Sequence, residues 1–330
     1  NSLHLQSYDV ISWTSLFVGY LDAGLLEKAL NFLEIMQCEG VTPDRITCIS
    51  GWKACGDIKA PNIGQNLYSF AFKVGMEMDI SLENALVYMY AKCGCLEDAE
   101  YVFENVGIRD VITWTILISG FCLHGHNVKA LSCFYLMRHE GLSPDAATFA
   151  CVLKVCGKIG SIKKTNEMHA EIVRGGVMEN DTILSTALMD MYGQCDDISM
   201  ARQVFDEIAI RNVVSWTVLI SAYSQNDLAE EALKCLKLME LEGVHPDSVT
   251  YVYNLKACGS TADVHNAQKL LAEINKNILS ENYASVGSAL VDIYAKFGLL
   301  SELQHVAHEL PLQNIAMWNS LMFRYAEHGY

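Results

Sequence analysis

Cysteine and histidine are the residues of this chain with the most chemistry in them, twelve and ten among 330. Thiolates and imidazoles hold soft metals when a Cys-x-x-Cys pair or a tight His/Cys cluster gathers the ligands. No Cys-x-x-Cys occurs, and the nearest approach is Cys93-Gly94-Cys95. The cysteines keep step with something longer instead. Cys55, Cys156 and Cys258 fill one recurring phrase (Lys-Ala-Cys-Gly, Lys-Val-Cys-Gly, Lys-Ala-Cys-Gly), and Cys93 and Cys195 fill another. A cysteine recurring at fixed phase reads as a small buried hydrophobe at a tight helix contact. Free thiols in this number point to a reducing compartment. His169-Ala170-Glu171 has the His-x-Glu spacing of a zinc deaminase, but none of the five prolines precedes a cysteine. The Pro-Cys-x-x-Cys half of that site is therefore missing. His124-Gly125-His126 has no ligand cluster at a matching distance, and phosphate-loop and dinucleotide glycine motifs are absent. The expectation is a chain without metal, cofactor or catalytic centre.

What sets the phase is a long repeat. The stretch Val111–Asp145 reappears as Val10–Asp44 and Val213–Asp247, and a fourth copy opens at Ile315, so the starts lie 101, 102 and 102 residues apart. Each period divides into an opening unit of 35 residues, a middle unit of 35 or 36 and a short unit of 31. These run 10–44, 45–79 and 80–110, then 111–145, 146–181 and 182–212, then 213–247, 248–283 and 284–314. Residues 1–9 read as the tail of a preceding unit, and 315–330 as the start of a further one. The chain begins and ends mid-pattern, so it is expected to be a piece of a longer protein, with any address signal outside it. Repeats of this length pack on their neighbours and make one array over 1–330.

Every unit reads as a helical hairpin. In Val213–Asp247, Trp216, Leu219, Ile220 and Tyr223 recur at the spacing of one helix face, and Gln225-Asn226-Asp227 breaks the pattern. Ala232, Leu233, Leu236 and Met239 mark the second helix. Gly243 stands where a left-handed cap ends it, and Pro246 prevents continuation. Gly40 with Pro43 and Gly141 with Pro144 repeat that stop. Trp13, Trp114, Trp216 and Trp318 are in phase with Phe149 and Tyr251 and are expected to anchor the core between hairpins.

The composition is 51% hydrophobic and 19% charged, which supplies core material and argues against disorder. With so few prolines and little strand-like alternation, the class is all-α. A formal charge of −16 argues against a duplex-DNA or membrane-surface binder, which would show a basic footprint. No apolar run reaches membrane-spanning length.

The phrases Val-Ile-Thr-Trp-Thr-x-Leu-Ile-Ser, Glu-Gly-Leu-x-Pro-Asp, Ala-Leu-x-Asp-Met-Tyr-x-x-Cys and Ala-Arg-x-Val-Phe-Asp-Glu-Ile resemble pentatricopeptide repeats. The alternation of 35, 36 and 31 residues resembles the P, L and S motifs of the plant-type PLS subfamily. The tetratricopeptide repeat, at 34 residues with a Trp-x-x-Leu-Gly-x-x-Tyr opening, fits neither period nor opening. The resemblance implies a right-handed α-solenoid superhelix of stacked helical hairpins. It also implies binding of single-stranded RNA, one nucleotide per unit, in a mitochondrion or chloroplast.

By the same resemblance, the fifth and last residues of each unit discriminate bases, and the second wedges against them. The opening units then carry Thr14/Asp44, Thr115/Asp145 and Thr217/Asp247, and the short units carry Asn84/Asp110, Thr186/Asn212 and Ser288/Asn314. Asn319 stands without its partner. A carboxylate can satisfy the ring N–H of guanine or uracil, whereas the ring acceptor of adenine or cytosine needs the amide of Asn. The resemblance adds that Thr or Ser at the fifth position favours purines and Asn favours pyrimidines. The implied ligand is 5′-GnUGnAGnA-3′. Middle units, with Ile49, Ala150 and Val252 at the fifth position, should be permissive.

Ile11, Ile46, Ile112, Ile183, Val214 and Val249 would be the wedges, with Ser81, Ala147, Ser285 and Ala316 departing from the aliphatic pattern. Taken singly, each Thr or Asp reads as a helix cap or a surface residue. Six pairs at one phase, all in combinations the family uses, favour readout. Lys92, Lys158 and Lys296 stand at a phase facing the groove and are candidate phosphate contacts, against the alternative of solvated helix-end lysines.

Two function classes remain. One is a sequence-specific RNA adaptor, used for C-to-U editing or for RNA processing or stabilisation, with editing or processing cofactors as further partners. The other is an α-helical scaffold for protein–protein interaction. Neither implies DNA or membrane binding.

Overall fold

The computed structural model describes residues 10–176, 182–261 and 265–270, together with Asn319, Met322, Phe323 and Ala326. Among them all regular structure is helical. The helices are α1 (Val10–Asp22), α2 (Leu26–Cys38), α3 (Arg45–Asp57), α4 (Pro61–Lys73), α5 (Ile80–Cys93), α6 (Leu96–Asn105), α7 (Val111–Leu123) and α8 (Asn127–His139). They continue as α9 (Ala146–Ile159), α10 (Ile162–Arg174), α11 (Thr182–Gln194), α12 (Ile198–Glu207), α13 (Val213–Gln225), α14 (Ala229–Leu241) and α15 (Ser248–Thr261).

The first helix of each unit begins on the residue that the repeat assigned as its start, from Val10 through Ser248. The physical reason is the residue before it. Asp44, Asp79, Asp110 and Asn212 adopt extended backbone and accept hydrogen bonds from the first-turn amides of the helix that follows. Such a cap satisfies donors that no carbonyl inside the helix can reach. At the other end of the hairpin, Gly40, Gly141 and Gly243 take φ of 72°, 83° and 75°. That left-handed conformation lets the chain turn out of the second helix without a Cβ clash.

The chain divides into two compact parts, Asn1–Val155 and Cys156–Tyr330, with the division inside α9. In the first part, α1, α3, α5 and α7 pack successively on one another, and α2, α4 and α6 each pack against the first helix of the next hairpin. In the second part, α11, α13 and α15 pack successively in a layer of their own, backed by α12 and α14. The repeated tryptophans fill the seams. Trp13, Trp114 and Trp216 are buried, as are Phe149 and Tyr251. Phe103 meets Trp114 edge-on at 4.7 Å, and Phe205 meets Trp216 at 4.6 Å. Cys55, Cys156 and Cys258 are fully buried, consistent with packing at a fixed phase.

Small residues let neighbouring first helices approach closely. A Cβ on Gly120 would lie 2.6 Å from the Ala91 Cβ, and one on Gly193 would lie 2.8 Å from the Ala222 Cβ. Each glycine fixes the spacing of neighbouring first helices within its own part.

Candidate functional site

The side chains that cap the first helices also line that layer. In Asp44, Asp110, Asp145 and Asp247 the same oxygen, Oδ1, accepts both the backbone N–H and the hydroxyl of the threonine three residues on, at 2.7–2.8 Å. Among the described residues, Oδ2 of each of these four has no hydrogen-bond or ion-pair partner. Asn212 caps with its Oδ1 on the Ser215 amide at 3.0 Å, because a cap needs an acceptor. Its Nδ2 is thereby left off the cap, on an exposed residue. The cap thus decides what each residue offers: an acceptor from Asp, a donor from Asn.

In the opening units the fifth residues stand next to these groups. The Thr14 hydroxyl lies 2.8 Å from that of Thr47, which donates to Asp44. Thr115 meets Thr148, the partner of Asp145, at 2.5 Å, and Thr217 meets Thr250, the partner of Asp247, at 2.7 Å. All three opening-unit pairs are therefore brought together through a bridging threonine. Thr14 and Thr217 are recessed, only 7% and 8% exposed, while Thr115 is half-buried. In the first short unit Asn84, on α5, is 9% exposed, and its Oδ1 is buried without a partner, while Asp110 caps α7. Thr186 donates to the Ile183 carbonyl at 2.9 Å.

The first middle unit differs on both counts. Ile49 offers no polar group, and Asp79 uses Oδ1 as a cap while its Oδ2 pairs with Arg45 at 2.6 Å. A carboxylate with both oxygens engaged presents a weaker acceptor to a base than one with a free oxygen.

Around these pairs lies a register of exposed aliphatics. Ile11, Ile46, Ile112, Ile183, Val214 and Val249 are 71%, 59%, 58%, 72%, 58% and 47% exposed. Single exposed hydrophobes are ordinary. Six β-branched residues at the second position of six helices, one turn before the fifth residue and on its face, form a consistent surface within each part.

Lys92 and Lys158 stand in the last turns of α5 and α9. The Lys92 ammonium lies 5.6 Å from the Tyr88 ring centroid. The Tyr88 hydroxyl donates to Asp57 at 2.7 Å, and burial and that carboxylate push its pKa up to about 12. Three further lysines escaped the sequence reading. Lys53, Lys154 and Lys256 are exposed and lie seven residues after the second position of each middle unit, hence on the same face. The signal was the phrase Lys-Ala-Cys, in which only the cysteine was read. Among the described residues none of these five lysines is in an ion pair. Ser288, Asn314 and Lys296 lie outside the described residues, and Asn319 is exposed and helical.

The remaining chemistry-bearing groups, exposed Cys38 and His126 apart, are buried or half-buried where the sequence singled them out. His169 bonds the Tyr192 hydroxyl through Nδ1 at 2.7 Å, and burial lowers its pKa. All twelve cysteines are free thiols, and burial raises Cys48 and Cys55 to about 12. Arg109 and Arg211, each just before a capping residue, lie over the rings of Phe103 and Phe205, 4.8 and 4.7 Å from the centroids, and reach Glu140 and Glu242. They brace the turn that delivers Asp110 and Asn212. No described helix is long and apolar enough to cross a membrane.

Comparison with known proteins finds repeats along the chain. The PPR repeat family matches residues 109–158 and 211–260, and the PPR repeat matches 11–41, 84–106 and 184–213. A chloroplastic pentatricopeptide repeat-containing protein of Arabidopsis thaliana is 33% identical over 99% of this chain and 52% of its own length. A mitochondrial one from the same plant is 30% identical over 92% of this chain and 44% of its length. The chain spans about half the length of these curated relatives. In fold it is similar to the pentatricopeptide repeat protein PPR10 from maize, with a TM-score of 0.52 and 17% identity over 97% of this chain and 57% of that one.

Proposed function

We propose that this chain, which belongs to the pentatricopeptide repeat family, reads single-stranded RNA at one base per hairpin, and that it works in a mitochondrion or chloroplast. The observation that carries the reading is the shared use of the capping residue. Each described Asp or Asn at the end of an opening or short unit spends one atom on the helix and leaves the other without a bond among the described residues, and in the opening units a buried threonine joins it to the fifth residue of the same unit. RNA is read on the exposed edges of unstacked bases, and one unbonded acceptor or donor per hairpin suits that mode. Exposed aliphatics hold the second position in six of the eight units whose first helix is described and are suited to sandwich a base.

The pairs Thr14/Asp44, Thr115/Asp145 and Thr217/Asp247 select guanine, Asn84/Asp110 selects uracil, and Thr186/Asn212 selects adenine. With Ser288/Asn314 reading adenine, the ligand is 5′-GnUGnAGnA-3′. The middle units accept any base, a reading supported by Ile49 and by the Arg45–Asp79 ion pair. Lys53, Lys92, Lys154, Lys158 and Lys256, with Lys296, supply phosphate contacts. The 35/36/31 alternation supports a PLS-type array. Its role is site recognition for C-to-U editing, or RNA processing or stabilisation, together with cofactors that act on the bound transcript.

The net charge of −16 favours a second reading, a helical scaffold for protein partners. Titrating 5′-GUUGUAGUA-3′ and a shuffled 9-mer at two salt concentrations separates the two. An RNA reader binds the matched sequence more tightly and loses affinity as salt rises. Equal affinity for both RNAs, or none for either, sinks the RNA reading and leaves the scaffold.

A further inference from the structure

We propose that Thr47, Thr148 and Thr250 are specificity-setting positioning residues: buried hydroxyls that make each opening-unit pair an acceptor-only site selective for guanine. The inference rests on the RNA reading above and goes beyond it by adding a residue that never touches RNA. All three threonines are fully buried. Each donates its hydroxyl proton to the Oδ1 of the capping aspartate, because a carboxylate only accepts. With that proton spent, the bond to the fifth-residue hydroxyl must run the other way. Thr14, Thr115 and Thr217 therefore donate inward and keep only lone pairs for a ligand. The neighbouring Asp Oδ2 is also an acceptor. Two adjacent acceptors match the adjacent ring N–H and amino N–H of guanine. The other three bases each present an acceptor where one of those donors would have to be.

The arrangement belongs to the opening units. In the described short units no bond joins Asn84 to Thr113, while Ser215 turns its hydroxyl to the Asn212 carbonyl and Thr186 to that of Ile183. Thr115 alone has a second acceptor for its proton, the Val111 carbonyl at 2.7 Å. That difference gives the inference an internal control.

The test uses the full chain with Thr250→Val, Thr47→Val and Thr148→Val. Each variant is titrated with 9-mers carrying G or A at the seventh, first or fourth base. Thr250→Val should cut the G-over-A preference at the seventh base from about tenfold or more to about threefold or less, leaving the other positions unchanged. Thr47→Val should do the same at the first base. Thr148→Val should change the fourth base less, because Thr115 still donates to Val111. Thr250→Ser, which keeps the hydroxyl, should restore the preference. If both Thr250→Val and Thr47→Val keep the full preference while folded by circular dichroism, or if one variant lowers affinity for all RNAs alike, the inference is wrong. Should Thr250→Val not fold, Thr47→Val decides the matter. Absence of any base preference in the unmodified chain would instead overturn the RNA reading itself.

Discussion

Replacing Asn212 by Asp changes the one atom that the proposed reading sets against a base and leaves the helix cap in place. Oδ1 still accepts the Ser215 amide, now at 3.0 Å, and the Ser215 hydroxyl still bonds the residue 212 carbonyl at 2.9 Å. A negative charge at a helix N-terminus adds ~0.3–1 kcal/mol of stabilisation, so melting should stay put or rise slightly. The unbonded Nδ2 donor, however, becomes an Oδ2 acceptor. For adenine at the sixth base this removes a match and sets two acceptors face to face. For guanine it creates a match with the ring N–H. If each match contributes ~1–3 kcal/mol, the low end of both changes sums to about 2 kcal/mol, or about a 30-fold swing in the A/G affinity ratio. Fluorescence anisotropy with two 9-mers differing only at the sixth base measures that ratio directly. Asn212→Ala serves as a control: it should cost ~1 kcal/mol of stability through the lost cap and flatten the preference. A folded Asn212→Asp variant with the ratio of the unmodified chain would refute the reasoning, since the cap would then be the side chain's whole role.

Gly120→Ala sets its new methyl 2.6 Å from the Ala91 Cβ. Forcing two first helices apart should cost ~1–3 kcal/mol, read as a lowered unfolding midpoint; an unchanged midpoint contradicts the close packing. The lysines of the middle units are assigned to phosphates, so Lys53→Gln, Lys154→Gln and Lys256→Gln together should make the slope of log affinity against log salt shallower by about 2. Base preference should stay as it was, and an identical slope removes them from the interface. Burial holds Cys48 and Cys55 near a pKa of about 12. Raised values keep both thiols neutral from pH 7 to 9, so iodoacetamide should label exposed Cys38 and spare these two until the chain unfolds. Labelling of Cys55 in the native chain counts against its packing role.

The hairpin starts were legible because two signals coincide at each one. An apolar helix face resumes there, and an Asp or Asn that can cap it comes immediately before, as with Asp110 and Val111 or Asn212 and Val213. The glycine stops were legible for a similar reason, since Gly40, Gly141 and Gly243 each precede a proline by three residues. The bridging threonines were not found. Which way a hydroxyl turns depends on partners 33 residues apart that meet only when neighbouring first helices pack. Even so, Thr14 and Thr47, Thr115 and Thr148, and Thr217 and Thr250 recur at one separation, and that pattern was there to be read. The recess of Thr14 and Thr217 was equally invisible. It follows from how closely α3 and α15 approach, which no local pattern encodes. The Arg45–Asp79 ion pair supplies a reason, beyond the apolar Ile49, why the first middle unit should not discriminate.

Selection of bound sequences from a random RNA pool by the purified chain tests the central claim most directly. The account predicts guanine enriched at the first, fourth and seventh bases of the recovered site, uracil at the third, adenine at the sixth and ninth, and no bias between them. Recovered pools without a purine excess at the first, fourth and seventh bases would contradict it.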